Sequence, residues 1–417
     1  GGSITVTPQQ VTGNTRRLKV TIKDTSLTQY FSQLAIGSPT ITRAATSEYV
    51  LPVPLGSPDN TLGNQSNTDT KNLWASISGP YTDYTNGDPY STKCLVSASN
   101  TSCSTNNTEY RNWGYLYTVD VPASGVGKTL TVQVFDAGNY ARANYANVET
   151  ADNGVVNTSF EMFSPSAFPL DPVTFYDPSI SMNSTGSGSI KCTSGGGKWV
   201  IADGASSTTY KNTFVTLCSL VVSTAGQYHL QVKSSNLTGV SDSGNGWNQF
   251  SIKSTLSSAP QPQVYGYGDL SIFNNLPNVS GNLTATFYLS QIDQIHAGKH
   301  MIISLFDPGD GASGTYDINI LKPGGATTGC VYGARGASTT TTADCSIITR
   351  TSGGTNAYQG LWLDIDITIP STYTCTTDCW WKVRYDFTSV SSGASPNDRT
   401  VWAARLVGDP VHLVDAG

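Results

Sequence analysis

The sequence predicts a mainly β protein: two tandem, homologous β-sandwich or jelly-roll domains preceded by a small α+β module of order β-β-α-β. The first observation behind this is a repeat. Residues 127–138 read GKTLTVQVFDAG and residues 298–309 read GKHMIISLFDPG, so that Leu130 maps onto Met301, 171 positions on. The same offset sets Tyr117 opposite Tyr288 and Val121 opposite Ile292. Downstream, Tyr228, Leu230 and Val232 map onto Trp381, Val383 and Tyr385 at an offset of 153. A period this long marks a duplicated domain, because solenoid repeats recur every roughly 20–50 residues. The second observation is alternation. Leu130, Val132 and Val134 in one copy, and Met301, Ile303 and Leu305 in the other, are apolar at every second position. That is the signature of a strand with one face on a core and one face wet. The third is composition: only 12% of residues are charged, and 41 glycines and 20 prolines punctuate short runs. Such a profile suits short strands joined by many turns.

The 417 residues are enough for two or three domains with proper cores. Residues 1–50 form the small module. SITVTP and RLKVTIKD alternate as strands, and Leu27, Tyr30, Phe31 and Leu34 follow helical i, i+3, i+4, i+7 spacing. Ser26 is placed to cap that helix and Gly37 to stop it, after which TITRAATSEYVLPV returns as a strand. Residues 51–70 are rich in Pro, Gly and Asn and read as a linker. Residues 71–258 make the first β-sandwich domain, whose stretch FEMFSPSAFPLDPVTFYDPS has too many prolines for a central strand. The boundary falls in SSAPQPQ at 257–263, and residues 259–417 make the second β-sandwich domain.

The net charge of −6 argues against a nucleic-acid surface, and Arg16, Arg17, Lys19 and Lys23 read as the solvated face of one strand. No run reaches the roughly 20 apolar residues that cross a bilayer, so no membrane span is expected within this sequence. The sequence starts at Gly1 and contains no signal-peptide pattern, so a mature or trimmed product is expected. The eight cysteines fall as neighbours: Cys94 and Cys103, Cys192 and Cys218, Cys330 and Cys345, Cys375 and Cys379. Sequential pairing is expected among the 105 possible connectivities. With no Cys-x-x-Cys motif and no nearby histidine, an oxidising, extracellular compartment is a better reading than zinc. Asn-x-Ser/Thr triplets occur at Asn64, Asn100, Asn106, Asn157, Asn183, Asn236, Asn278 and Asn282, in a chain rich enough in these residues to give such matches by chance.

The run VTIKDTSLTQYFSQLAIGSPTITRAATSEYVLPVPLGSP resembles the segment that follows the membrane anchor in bacterial TadE/TadG-like (Flp pilus-assembly) proteins. NLWASISGPYTDYTNGDPYSTKC, GYLYTVDVP and VYGYGDLSIF are similar to the large C-terminal extensions of some members. The resemblance implies a structural or adhesive part of a pilus or other cell-surface assembly, with other copies of itself or other surface proteins as partners. Its motifs are structural and carry no catalytic signature.

Among candidate sites the turn DPGDGASGTYD is the best, because Asp307, Asp310 and Asp317 surround three glycines. Carboxylate and carbonyl oxygens on such loops hold hard cations, and the expected metal is calcium. The turn also resembles the DPxG turns of secreted pre-peptidase C-terminal-type sandwich domains, some of which bind calcium. The first copy keeps Asp136 but carries Asn139, so a site there should be weaker. The plainer alternative is a glycine-rich hairpin with solvated aspartates. Asp364 and Asp366 in LWLDIDITI share a face and read as a wet sheet surface rather than a glycosidase pair. No Gly-x-Ser-x-Gly elbow occurs, and His229, His296, His300 and His412 lack a partner spacing. Trp380-Trp381 beside Cys375 and Cys379 is the obvious place for a glycan to stack, one indole being expected in the core and the other exposed. A secreted carbohydrate-binding module or adhesin unrelated to pili is therefore the alternative to the pilus reading, and a secreted hydrolase comes third.

Overall fold

The computed structural model describes residues 3–11, 17–25, 40–49, 53–65, 73–99, 101–136, 158–165, 198–201, 214–234, 246–276, 279–310, 314–351, 354, 356–394, 397–407 and 411–416. The chain is mainly β, and its strands pair antiparallel, as β1 with β2, β9 with β14, β19 with β24 and β20 with β25. It divides into two compact units, residues 1–52 with 407–417, and residues 53–406.

The smaller unit begins with β1 (Ile4–Gln10), β2 (Arg17–Asp24) and β3 (Ile41–Tyr49). The helix expected from Leu27, Tyr30, Phe31 and Leu34 lies outside the described residues. The larger unit opens with β4 (Pro54–Leu55), β5 (Thr61–Leu62) and β6 (Leu73–Ser78), so the stretch read as a linker supplies two short strands. Then come β7 (Cys94–Ser99), β8 (Ser102–Asn106), β9 (Tyr115–Val121) and β10 (Thr129–Asp136). The first half closes with β11 (Thr158–Phe163), β12 (Lys198–Ile201), β13 (Phe214–Val221), β14 (Gly226–Lys233) and β15 (Trp247–Leu256).

The second half holds β16 (Gln263–Tyr267), β17 (Asp269–Asn275), β18 (Val279–Gln291), β19 (His300–Phe306) and β20 (Thr315–Leu321). It continues with β21 (Cys330–Ala334), β22 (Thr340–Thr342), β23 (Ser346–Arg350), β24 (Trp362–Thr368), β25 (Trp380–Ala394) and β26 (Asn397–Val407). Last, β27 (Val411–Ala416) joins the smaller unit, whose sheet runs β1-β2-β3-β27.

The larger unit is a sandwich of two long sheets, and each sheet contains both sequence copies. One runs β13-β10-β15-β6-β17-β26-β19-β24-β21-β22, and the other β12-β11-β14-β9-β16-β4-β18-β25-β20-β23. Read outward from the middle of the first sheet, β6, β15, β10 and β13 match β17, β26, β19 and β24. In the second sheet β9, β14, β11 and β12 match β18, β25, β20 and β23. The two sequence offsets hold at the level of single bonds. Val121 pairs with Gly226, and the positions 171 and 153 further on, Ile292 and Cys379, are joined by the Ile292 N–H on the Cys379 carbonyl at 2.9 Å.

The copies meet without a break in either sheet. β6 pairs directly with β17, Ala75 opposite Ile272 and Trp74 opposite Phe273. In the other sheet the seam strands are exchanged: β16 of the second copy lies on β9 of the first, while β4 of the first lies on β18 of the second. The expected boundary at 257–263 coincides with the bend between β15 and β16, but the sheets continue past it. Fusing the copies in this way covers sheet edges that separate sandwiches would expose to pairing with other chains. The alternating positions behave as their period requires, since Leu130, Val132, Val134, Met301, Ile303 and Leu305 are all buried in one core with Trp381 and Trp402.

Disulfides follow the sequential pattern. Cys94 bonds Cys103 within the β7–β8 hairpin, Cys330 bonds Cys345, and Cys375 bonds Cys379 in the turn before β25. Cys330 begins β21 in one sheet and Cys345 precedes β23 in the other, so this bridge closes the outer end of the sandwich. Cys218, on β13 at the opposite outer end, is also disulfide-bonded, and Cys192 lies outside the described residues.

Candidate functional site

The DPGDGASGTYD turn begins where β19 runs out. Asp307 takes a left-handed conformation (φ 52°) and is fully buried, and Gly309 follows at φ 106°. Glycine is required there, since a Cβ would sit 2.9 Å from the Thr349 hydroxyl oxygen. Two carboxylates hold the turn. Asp307 Oδ1 accepts the Gly360 N–H at 2.7 Å and the Asn356 amide at 3.4 Å. Asp398, near the start of β26, accepts the N–H groups of Gly309 at 2.9 Å and Asp310 at 3.1 Å through its Oδ1. Thr400 then donates its hydroxyl to the Phe306 carbonyl at 2.6 Å, locking β26 to the end of β19.

Three carboxyls thus crowd one buried corner, and their titration follows. Burial pushes Asp307 up to about 9, with the neighbouring Asp310 charge adding to the shift. Asp398 is pushed up to about 7 by burial and by Asp310. Burial raises Asp310 to about 6 against the pull of the Arg399 and Arg350 cations. The Oδ2 atoms of Asp307 and Asp398 are buried without a hydrogen-bond partner, the Tyr385 hydroxyl lying near Asp398 outside standard geometry. Like charges this close are held most easily as protonated acids.

Of the three expected calcium ligands, Asp307 and Asp310 come together but Asp317 does not join them. It sits on β20 opposite Asp386 of β25, in a polar row where Asp386 accepts from Asn319 at 3.0 Å and pairs with Arg384 at 2.9 Å. Among the described residues no group of three or more histidine, cysteine, aspartate or glutamate side chains is arranged to hold a metal ion. Asp398 was invisible to sequence reasoning: it lies 91 positions beyond Asp307, and nothing local marks it. The first copy's equivalent turn lies outside the described residues.

The other described candidates lie apart from this corner. Asp364 and Asp366 share the outer face of β24, each with its own partner. Asp364 binds Arg335 at 2.8 Å and the Ser304 hydroxyl at 2.6 Å, and Asp366 binds His300 at 2.8 Å. The hydroxyl and the imidazole therefore sit on different carboxylates and do not form a nucleophile–base pair. His229 is buried and held down at about 4 by that burial, with its ring edge-on to Tyr267. Trp380 and Trp381 point to opposite faces of β25, yet both are buried, contrary to the expectation that one is exposed. Trp380 packs against Tyr288 at 5.6 Å, so a flat indole face for a sugar is missing there. Asn64 is likewise buried, its Oδ1 accepting the Leu73 N–H at 3.1 Å, which excludes it as a glycan acceptor in the folded chain.

The smaller unit presents a different kind of surface. Cross-strand register sets Val6 beside Ile22, Pro8 beside Val20, and Val20 beside Ala45, all on one face. The apolar side chains of that face are wet: Ile4 is 64% exposed, Val6 58%, Ile41 47%, Ile22 45% and Leu18 44%. Every residue of β1 is exposed, and among the described residues its sole strand neighbour is β2.

No family model matches the chain, and no curated protein matches it. Solved structures of infectious bursal disease virus, Gt and Gx strains, align with it at a TM-score of 0.09 each and 10% and 13% identity. These alignments span 93% of this chain and 89% and 88% of theirs, and likeness so low carries no argument.

Proposed function

We propose that this chain is a non-enzymatic structural or adhesive component of a bacterial pilus or other extracellular cell-surface assembly. The observation that carries the reading is the edge strand β1, whose strand neighbour among the described residues is β2 alone and whose side chains are exposed beside a row of wet apolar ones. Unpaired edge backbone and contiguous apolar surface are what one protein offers another. The disulfides support an oxidising location, and the resemblance to TadE/TadG-like proteins supports the pilus setting. No helix among the described residues is long and apolar enough to cross a membrane. The partners on this reading are other copies of the chain or other surface proteins. The carbohydrate-binding alternative has lost its most obvious aromatics, Trp380 and Trp381, to the interior.

The test is removal of residues 1–52 together with 407–417, leaving the compact unit 53–406. The remainder should stay folded and fail to assemble where the full chain assembles. Assembly undiminished in the truncated protein would overturn the reading.

A further inference from the structure

Among the described residues two aspartates precede a proline, Asp88 before Pro89 and Asp307 before Pro308. Such a pair is chemically primed. The carboxyl can close a five-membered ring on its own carbonyl carbon, and a tertiary proline nitrogen leaves more readily than an ordinary amide. The two aspartates are held differently. Both oxygens of Asp88 are engaged: Oδ1 accepts the N–H groups of Tyr90 at 3.2 Å and Ser91 at 3.0 Å, and Oδ2 accepts that of Ser78 at 2.8 Å. The hydroxyls of Tyr115 and Ser91 add one bond to each. Asp307 is engaged through Oδ1 alone, by Gly360 and Asn356, and its buried Oδ2 has no hydrogen-bond partner. Burial, with Asp310 adding to it, pushes this carboxyl up to about 9, so it is a protonated acid at neutral pH. Two donors already occupy Oδ1, which leaves the proton to Oδ2. The backbone is unusual as well. A residue before proline is driven to an extended φ of roughly −120°, but Asp307 stands at φ 52°. Such a conformation persists only where the surroundings impose it. Asp398 does so from beyond the proline, through the N–H groups of Gly309 and Asp310. The first copy reads Asp136–Ala137 at this point and has no proline to release.

We propose that the Asp307–Pro308 bond is a self-cleavage site, at which the Asp307 carboxyl breaks the peptide bond on its own C-terminal side. Oδ2 bonds to the Asp307 carbonyl carbon, the proton it carried passes to the proline nitrogen, and the carbon–nitrogen bond breaks. The immediate products are a cyclic anhydride at residue 307 and a free Pro308 amine. Water then opens the anhydride and leaves Asp307 with its side-chain and terminal carboxyls. The reaction consumes one water and happens once per chain, so it modifies the protein and is not a turnover. It is independent of the reading of the chain as part of an assembly. Strands before and after the cut are paired with each other, β18 with β25 and β19 with β24, so the two pieces stay in one sandwich.

The test follows the full chain at about pH 6, where Asp307 is protonated, beside an identical sample held unfolded in guanidinium chloride. Both are sampled over days and read by intact mass after denaturation. The folded chain should give the pieces 1–307 and 308–417, the second beginning at Pro308, at least tenfold faster than the unfolded sample. It should also be cut there in preference to the bonds after Asp88, Asp171, Asp177 and Asp409, the other aspartates that precede proline. Pro308→Ala, which copies the first repeat, should slow the cut at least tenfold with the melting curve kept. Should that variant fail to fold, the folded and unfolded samples of the native sequence decide alone. A folded chain that stays whole, or one cut at residue 307 no faster than the unfolded sample, overturns the proposal. Undiminished cutting in a folded Pro308→Ala chain overturns it too, since the leaving proline is then irrelevant.

Discussion

Trp362 donates its indole N–H to the Glu109 carboxylate at 3.0 Å, across 253 positions of sequence. Glu109 also accepts the Tyr84 hydroxyl at 2.7 Å, and the Tyr84 ring meets Phe306 edge-on at 4.4 Å. The loop that carries Tyr84 belongs to the first copy, and Phe306 and Trp362 belong to the second. One carboxylate thus satisfies two donors at the seam. Glu109→Ala should cost roughly 1–3 kcal/mol, the penalty for leaving buried donors without an acceptor. Combining it with Trp362→Phe should cost less than the sum of the two, measured by urea unfolding.

The buried corner of Asp307, Asp310 and Asp398 makes stability depend on pH. All three carboxyls titrate higher in the folded chain than their ordinary value of 3.8, at about 9, 6 and 7. A carboxyl raised on folding favours the native state while it is protonated. That contribution is whole below pH 3.8 and is lost as pH rises through the folded values. The melting temperature should therefore fall from about pH 4 to about pH 9, most steeply below about pH 6 where all three groups contribute, and Asp398→Asn should flatten the fall. A calcium-induced rise in melting temperature that Asp310→Ala removes would instead assign the corner to a cation.

The bridge from Cys330 to Cys345 joins β21 of one sheet to the residue before β23 of the other, across a sequence separation of 15. Replacing both cysteines by alanine should cost about 3 kcal/mol in the chain-entropy account. Peptide mapping without reduction should also recover the linked pairs 94–103, 330–345 and 375–379, with 192–218 completing the set. A crossed linkage would overturn the sequential scheme.

Much of the sandwich was legible because alternation and duplication are local signals. Leu130, Val132 and Val134 show their buried face in the sequence, and the offset to Met301 shows that the pattern recurs. The seam was not legible. β4 has two residues, too few to carry a period, and its partners Gly266 and Ser290 lie in the other copy. The candidate site was half legible for the same reason. Asp307 and Asp310 announce themselves in one turn, whereas Asp398 arrives from β26 and Asp317 leaves along β20, where strand alternation turns it to the outer face. Trp380 misled because sequence gives its side of the strand but not the Tyr288 ring that lies against it.

The exchanged strands make the last prediction. Without the first copy, β18 has no β4 beside it, and β16 has no β9. Without the second copy, β6 loses β17 and β9 loses β16. Each half expressed alone, 53–262 or 263–406, would then present long unpaired edges flanking an opened core. Leu55, Ile77, Val264 and Leu270, all fully buried in the intact unit, lie on these seam strands. Loss of such burial removes about 1.5–3 kcal/mol for each large side chain exposed, against a total stability of only about 5–15 kcal/mol for a typical domain. Neither half should fold alone, and the two should reconstitute when co-expressed, as read by co-purification and by recovery of a single cooperative melt. Two halves that each melt cooperatively on their own would show that the copies are independent domains, and that the exchange at the seam stabilises neither.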